Sequence, residues 1–377
     1  MLDERKTDSG RSSFRMELTV KRTVEIRWNK LENDLLNHSE KEILIFIDPI
    51  VLSDNSGLLS LANEIDDISI IPINLFESEK TESSLLEILS VMEQQGVSRR
   101  GHRIYAIGGG VLLDVVSLAT SIFRRGVDVV KVPTTLLAFV DASIGIKTGI
   151  NFQGQRNRIG SYNLRFDVLL DESLLVSLDP QLISEGLGEI FKIATIKCKT
   201  LFGLLEDKVE ELLNPRFYTC ASGCEVLSKA INLMLKELCD NPEEINLKRC
   251  VDFGHTFSPF VEMESVNSSR YRSLPHGYAV AYDCILTSMI ARKRGLLGEG
   301  DFDRIYALFN SIKFDLNNDI YDDNELLWAS LLEMTKHRGG NQNIPYPVEI
   351  GRYAFLQDVN FDEMKKANAR LKDLLRV

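Results

Sequence analysis

Three residues of this chain could together bind a divalent metal ion. Glu189 lies in the segment GLGEIFKIATI, His255 in DFGHTFSP and His276 in LPHGYAVAYD. One carboxylate and two imidazoles, with a fourth position left open, are typical ligands of catalytic zinc. Lys192 follows Glu189 by one helical turn, so a cation would lie beside the metal and its bound ligand. The alternative is that both histidines have ordinary structural roles.

A second group of polar residues lies between residues 124 and 163. A predicted strand, Val127–Val132, ends there at a proline and is followed by Thr134, Thr135, Asp141, Lys147, Asn151, Arg156, Asn157 and Arg158. Ammonium, guanidinium and hydroxyl groups among small residues are suited to phosphate oxygens. The segment therefore predicts a phosphorylated substrate, and a solvated surface loop is the alternative.

A glycine-rich turn precedes this segment. Gly108–Gly110 follows a predicted strand, Arg103–Ile107, and opens the helical run VLLDVVSLATSIFRR. Glycines at such a turn let backbone amides approach a pyrophosphate at a helix N-terminus. A turn that only needs positive φ is the alternative. Asp48, after the predicted strand Glu42–Ile47, would accept a hydrogen bond from a ribose hydroxyl or begin a turn before Pro49.

The elements that would position these residues change in character near Pro180. Before it, short β-rich runs alternate with helical periodicity, as in Ser84–Gln95, which favours a parallel sheet with crossover helices. After it, the pattern predicts helices, at Leu182–Cys198, Leu201–Leu213, Cys224–Cys239, His276–Arg294 and Phe302–Phe314. We expect residues 1–15 to be disordered, 16–180 to form an α/β domain, and 181–377 to form a helical domain.

Composition excludes several classes of protein. The 377 residues include 44 Lys and Arg against 55 Asp and Glu, a formal net charge of −11, which argues against nucleic-acid binding. The six cysteines form no CxxC pair, so a structural zinc knuckle is not expected. No apolar run is long enough to span a membrane, and the charged N-terminus has no signal-peptide pattern. We therefore expect a cytoplasmic protein.

Taken together, these motifs resemble the sugar phosphate cyclases of the dehydroquinate synthase superfamily. The matching segments follow the family order from about residue 45 to residue 350: GGGVLLDVV, RRGV, VPTTLLAFVDASIGIKTGIN, RNRIG, GLGEIFKIA, DFGHTFSP and LPHGYAV. The resemblance implies a Rossmann-like NAD-binding α/β domain at the N-terminus and an all-α domain at the C-terminus. It also implies a divalent metal, zinc or cobalt, in the cleft between them, and a homodimer.

The resemblance assigns roles residue by residue. Glu189, His255 and His276 match the metal ligands. With Asp48, the expected cofactor-binding residues are Glu77, Lys80, Gly108, Gly109, Gly110, Asp114, Thr134 and Thr135. The expected catalytic residues are Asp141, Lys147, Lys192 and His337, and those expected to bind the substrate or its phosphate are Arg125, Arg156, Asn157, Lys236 and Asp252. Arg125 matches the phosphate-contacting arginine of the family's RGV motif.

The positions at which this sequence departs from the family pattern indicate one branch of the family. Asp252 and Pro259 replace an asparagine and a histidine of dehydroquinate synthases, and residues 337–340 (HRGG) replace a lysine-rich motif. These patterns look like the cyclases that take sedoheptulose 7-phosphate, above all the 2-epi-5-epi-valiolone synthases. Fewer cationic groups suit a substrate without a carboxylate, because an unpaired buried charge is costly. Tyr278, where many relatives have glutamate, leaves the product stereochemistry open.

The implied reaction is redox-neutral overall. A ring carbinol is oxidised by NAD⁺, phosphate is eliminated, the hydride is returned, and an intramolecular aldol step closes a seven-carbon cyclitol. The alternatives are a 2-epi-valiolone, desmethyl-4-deoxygadusol or 3-dehydroquinate synthase. Two further alternatives are a metal-dependent alcohol dehydrogenase of the glycerol-dehydrogenase type and a degenerate protein that binds the cofactor without catalysis.

Overall fold

A computed structural model of the chain describes residues 2–6, 12–16, 22–37, 41–55, 57–58, 60–61 and 67–375. Strands β1 (Leu2–Lys6) and β2 (Ser12–Met16) pair antiparallel. The disorder expected for residues 1–15 stays a prediction. Met1 and residues 7–11 lie outside the described residues.

A six-stranded parallel sheet organises the N-terminal half. Its strands are β3 (Ile26–Trp28), β4 (Glu42–Ile47), β5 (Ile68–Pro72), β6 (His102–Gly108), β7 (Val129–Pro133) and β10 (Phe166–Leu170), in the order β3-β10-β7-β6-β4-β5. All neighbouring pairs run parallel. The sheet is covered on both faces, so its strands are apolar on both sides. In β4, Ile43, Ile45 and Ile47 pack on one face, and Leu44 and Phe46 pack on the other.

Helices connect these strands, and an antiparallel pair of strands lies between β7 and β10 in the sequence. The helices are α1 (Leu31–Leu36), α2 (Pro49–Asp54), α3 (Glu82–Gln94) and α4 (Gly110–Ile122), and a π-helical turn covers Ala138–Ala142. Strands β8 (Lys147–Phe152) and β9 (Gln155–Tyr162) form the antiparallel pair. The carboxyl ends of the parallel strands therefore meet the glycine turn and the π-helical turn at one edge of the sheet.

The C-terminal half is helical. Its helices are α5 (Pro180–Lys197), α6 (Lys199–Leu212), α7 (Ala221–Asp240), α8 (Ser258–Asn267), α9 (His276–Lys293), α10 (Glu299–Ser311), α11 (Asn324–His337) and α12 (Phe361–Leu375). One antiparallel pair, β11 (Ile344–Glu349) with β12 (Arg352–Leu356), lies among them and was not expected from the sequence. The parallel α/β half and the helical half confirm the predicted fold class.

Candidate metal centre and active site

Glu189, His255 and His276 lie together in the C-terminal half: Glu189 is in the middle of α5, His255 precedes α8 and His276 begins α9. One potential ligand atom from each residue lies within 4.8 Å of the other two. Glu189 Oε1 is 3.3 Å from His276 Nε2 and 3.8 Å from His255 Nε2. The two imidazole rings meet edge to face, with centroids 5.6 Å apart. These three residues could therefore hold one metal ion with further coordination positions left for a ligand.

Two glycines set the distance between Glu189 and His276. Helices α5 and α9 approach each other at Gly188 and Gly277, which are the sequence neighbours of the two ligands. A Cβ on Gly188 would overlap the carbonyl of Gly277, and a Cβ on Gly277 would overlap the carbonyl of Glu185. The two backbones are thus in direct contact, and this contact brings the carboxylate to the imidazole.

His255 is placed by the turn that leads into α8. Gly254 has φ +78° at this turn, and a Cβ there would lie 2.7 Å from the thiol of Cys284. The buried carboxylate of Asp283 accepts hydrogen bonds from the backbone N–H groups of Thr256 (2.7 Å), Phe257 (2.5 Å) and Ser258 (3.0 Å). Asp283 therefore satisfies the unpaired amides at the start of α8 and fixes the segment that carries His255.

The charges at this cluster suit a bound cation. Glu189 is 2% exposed, and its Oε1 faces the Nε2 atoms of both histidines. Lys192 Nζ lies 2.5 Å from Glu189 Oε2 as a buried ion pair. Burial alone would raise the pKa of Glu189, but Lys192 and the two histidines hold it well below its usual range. Burial and Lys192 lower the pKa of His255, so a carboxylate and a neutral imidazole are available as ligands.

Glu262 supports the cluster from α8 and was missed by the sequence analysis. His276 Nδ1 lies 2.9 Å from the buried carboxylate of Glu262, which leaves Nε2 directed at Glu189. Burial alone would lower the pKa of His276, but Glu262 raises it to about 9. Arg156 forms an ion pair with the same carboxylate and lies 3.1 Å from His276 Nδ1. Arg156, expected to bind phosphate, is thus held beside the candidate metal ligand His276 by Glu262.

Asp141 and Lys147 flank the cluster from the N-terminal half. Asp141 lies in the π-helical turn, where burial and the charge of Glu189 raise its pKa. Lys147 begins β8 and forms an ion pair with Glu244. About half of the Lys147 side chain is exposed, yet partial burial and the nearby Arg249 lower its pKa to about 8. Lys147 therefore carries its positive charge below about pH 8 and shares Glu244 with Arg249.

Asp252 is surrounded by two arginines that the sequence analysis did not assign to the site. Arg249 forms an ion pair with Asp252 and another with Glu244. Arg338 is 3% exposed, and its Nε lies 3.5 Å from Asp252. Arg338 also donates a hydrogen bond to the backbone carbonyl of His255 at 3.2 Å. The motif HRGG was a signal for Arg338, but only the fold shows which of its residues points inward.

The glycine turn has little room for side chains. Gly109 and Gly110 begin α4, and a Cβ on Gly109 would lie 3.3 Å from the methyl group of Thr135. The amide of Thr134 donates to the carbonyl of Gly108 at 3.0 Å, which joins the PTT motif to the turn. The N-terminus of α4 therefore meets the PTT motif at the carboxyl edge of the sheet, where phosphate groups bind in related topologies.

Lys80, Asp114 and Asn157 meet beside the glycine turn. Lys80 is buried, and its Nζ lies 2.6 Å from Asp114 Oδ2 and 2.7 Å from Asn157 Oδ1. Nearby, Glu77 accepts a hydrogen bond from Asn151 at 2.8 Å. The expected cofactor and substrate residues thus share one polar network.

Asp48 lies at the end of β4. It caps α2 by accepting a hydrogen bond from the amide of Ile50 at 2.8 Å. The turn-initiating role considered from the sequence is therefore present, and contact with a ribose stays a prediction.

Three expected site residues make no hydrogen bond or ion pair with the cluster in the described part of the chain. Arg125 is exposed after the C-terminus of α4, at the opposite edge of the sheet from the glycine turn. Lys236 is exposed on α7. His337 is half-exposed and lies 3.6 Å from Glu333 of its own helix. Their assigned roles stay predictions.

Among the described residues, no helix combines the length and the apolar character needed to cross a bilayer.

Family models match two adjacent parts of the chain, the 3-dehydroquinate synthase N-terminal model over residues 70–185 and the C-terminal model over 186–337. The junction of the two models lies within α5, close to the change from strands to helices.

Individual relatives extend this match. A 2-epi-5-epi-valiolone synthase of Streptomyces albus is 42% identical over 306 residues, covering 80% of this chain and 73% of that protein. A demethyl-4-deoxygadusol synthase of Trichormus variabilis is 32% identical over 82% of this chain and 75% of its own. A solved 2-epi-5-epi-valiolone synthase of Streptomyces hygroscopicus subsp. jinggangensis, with NAD⁺ and Zn²⁺ bound, superposes with a TM-score of 0.89 at 34% identity, covering 96% of this chain and 99% of that one. By these matches, the chain belongs to the 3-dehydroquinate synthase family.

Proposed function

We propose that this chain converts sedoheptulose 7-phosphate to 2-epi-5-epi-valiolone with loss of phosphate, as an NAD- and metal-dependent phosphorus–oxygen lyase. The observation that carries the proposal is that the candidate metal ligands occur together with the Asp252 network, in which Asp252 pairs with Arg249 and Arg338. The chain is also 42% identical to a 2-epi-5-epi-valiolone synthase. The cluster supplies the site for carbinol chemistry, and the network disfavours a substrate carboxylate.

The two cofactors have separate places in this proposal. Glu189, His255 and His276 would hold a zinc or cobalt ion, and the buried Glu189 Oε1, 3.3 Å and 3.8 Å from the two imidazole Nε2 atoms, fits such an ion. When bound, the ion supplies Lewis acidity and a template for the substrate hydroxyls. The α4 N-terminus with the PTT motif would hold NAD⁺, which supplies reversible hydride acceptance.

The chain's own residues orient the substrate between these two sites. Lys147 provides an ammonium for the phosphate, and Asn157 provides an amide that Lys80 already holds in place. Lys192, 3% exposed beside Glu189, places a fixed cation where negative charge develops on a substrate oxygen. Asp141, whose pKa is raised by burial and Glu189, can exchange a proton with the hydroxyl network at the metal side.

The Asp252 network supports a substrate that carries no carboxylate. Its two arginines would attract such a group if they were free. In this chain Asp252 pairs with both, and Glu244 takes a second contact with Arg249. A substrate carboxylate placed here would face the Asp252 carboxylate, and like charges at close range in a buried site are strongly unfavourable. A neutral polyol end avoids this repulsion.

The test is incubation of the purified chain with sedoheptulose 7-phosphate, NAD⁺ and Zn²⁺. We expect release of inorganic phosphate, a product with the stereochemistry of 2-epi-5-epi-valiolone by NMR, and no net change in NADH absorbance. Glu189→Gln removes a charged ligand and should abolish phosphate release, whereas Glu210→Gln, an exposed position on α6, should leave it unchanged.

Each alternative has its own outcome in the same assay. A cyclitol with another configuration would indicate a 2-epi-valiolone or desmethyl-4-deoxygadusol synthase. Phosphate release only from a carboxylated seven-carbon sugar phosphate would indicate 3-dehydroquinate synthase. Net accumulation of NADH without phosphate release would indicate an alcohol dehydrogenase of the glycerol-dehydrogenase type.

A further inference from the structure

Lys131 is a fully buried lysine on β7, one of the inner strands of the parallel sheet. Its side chain has 0% exposure and is among the largest that are completely buried. Lysine is almost never fully buried unless it is paired. Neither the metal cluster nor the expected cofactor residues account for its position.

The ammonium of Lys131 contacts backbone carbonyls and an aromatic ring. Nζ donates to the carbonyl of Gly145 at 2.8 Å, lies 3.5 Å from that of Ala142, and is 4.2 Å from the ring centroid of Phe166. In the described part of the chain, no carboxylate lies within ion-pair distance of this nitrogen. Burial lowers the pKa of Lys131 to about 8, although Asp114 and Asp141 attract the charged form.

The two carbonyls belong to a segment that joins two expected catalytic residues. Residues 142–146 link the π-helical turn that carries Asp141 to β8, which begins at Lys147. The same segment touches the glycine turn, since a Cβ on Gly110 would lie 3.3 Å from Cβ of Ala142. One buried amine therefore anchors the connection between the expected catalytic residues and the expected cofactor loop.

We propose that Lys131 is a positioning residue, whose ammonium holds segment 142–146 and thereby places Asp141 and Lys147 for the reaction. The inference rests on the proposed function for its catalytic consequence. A residue that only filled the core would be replaced well by methionine, because a buried charge contributes little stability over an apolar group of similar volume. A positioning residue would not be replaced in this way, because the two carbonyls would lose their donor.

The experiment compares Lys131→Met with Thr120→Val. The control removes another fully buried donor, the Thr120 hydroxyl, which donates to the Ser117 carbonyl within α4 and, among the described residues, makes no hydrogen bond to the segment. Two quantities are measured: kcat at saturating sedoheptulose 7-phosphate, and amide hydrogen exchange of residues 142–147. For Lys131→Met we expect faster exchange confined to this segment and a kcat lower by about ten- to a hundredfold, as for a small displacement of catalytic groups. Thr120→Val should match wild type in both.

Unchanged exchange and unchanged kcat in Lys131→Met would overturn the inference, and so would faster exchange spread over the whole sheet. Lys131→Gln, with a shorter neutral donor, is made in parallel and is expected to give the same local change if Lys131→Met fails to fold. Wild-type protein without phosphate release would instead contradict the proposed function, and the exchange measurement would still decide whether Lys131 holds the segment.

Discussion

If His276 binds the metal ion as proposed, its contact with Glu262 makes the metal affinity depend on a residue that touches no metal. Glu262→Gln keeps the shape of the side chain but removes the charge that holds His276 Nδ1 at 2.9 Å. Loss of such an outer partner lowers metal affinity by about ten- to a hundredfold. Competition with a chromophoric zinc chelator measures the change. Glu264→Gln, two residues along the same helix, is the matched control, and equal affinity in both variants would contradict the assigned role.

The lowered pKa of Lys147 predicts a pH dependence of substrate capture. Its ammonium loses a proton as the pH rises through about 8, and the neutral amine attracts phosphate less strongly. We therefore expect kcat/KM for the sugar phosphate to fall above pH 8. The charged groups around this amine are Asp141, Lys192, Glu244, Arg249 and Asp252.

The variant Lys147→Arg distinguishes titration of Lys147 from titration of the neighbouring groups. Its guanidinium stays charged throughout the accessible range, so the decline of kcat/KM should move to higher pH in this variant. A profile of kcat/KM from pH 6 to pH 10 tests both proteins. A decline at the same pH in both would assign the titration to a different group.

Local sequence patterns predicted three strands of the parallel sheet and seven helices, but not all of their ends. Glu42–Ile47 matches β4 at both ends, because an uninterrupted apolar run lies between polar residues. The helix expected at Phe302–Phe314 instead covers Glu299–Ser311. Its first turn is polar and gives no apolar signal, and Lys313, at φ +60°, lies beyond the helix end. Apolar periodicity locates a helix face, whereas backbone geometry sets its ends.

The crossing of α5 and α9 gives a prediction at the level of elements. Gly277→Ala adds a methyl group that would overlap the carbonyl of Glu185, so the helices must separate. We expect the free energy of unfolding to fall by about 2 kcal/mol or more and zinc affinity to fall with it. Urea unfolding and zinc titration measure these effects.

Gly203→Ala is the control for this variant. Gly203 lies in α6, and a methyl group added there would have no neighbouring atom within 4 Å, so alanine should be neutral or stabilise by up to about 1 kcal/mol. If Gly277→Ala behaved like Gly203→Ala, the backbone contact would not set the distance between the metal ligands.

At the scale of the whole molecule, the three candidate metal ligands could be predicted from the sequence, whereas the residues that hold them in place could not. Glu189, His255 and His276 could be proposed from residue type and family order. Glu262, Asp283 and the inward direction of Arg338 depend on how distant helices pack, which no local pattern encodes. The network of Asp252 with its arginines likewise forms only after the chain folds.

Arg125 gives a test of the homodimer implied by the family resemblance. It lies beyond the far end of α4, a helix of 13 residues and therefore about 20 Å long, away from the glycine turn. If Arg125 contacts phosphate, it must do so in the site of a second copy. Mixing inactive Arg125→Ala with inactive Lys192→Met should then restore about a quarter of wild-type activity through mixed dimers with one intact site.

This restoration is measured as phosphate release after the two variants have exchanged subunits. Two copies of a single variant, treated in the same way, are the control and should stay inactive. Full activity of Arg125→Ala alone would remove this residue from the reaction, and no restoration on mixing would contradict its action across copies.

All three candidate metal ligands follow Pro180, whereas the expected cofactor residues precede it. The backbone contact at Gly188 and Gly277 lies wholly within the helical half. A change in the angle between the halves would therefore alter the distance from cofactor to metal while leaving the ligand triangle intact.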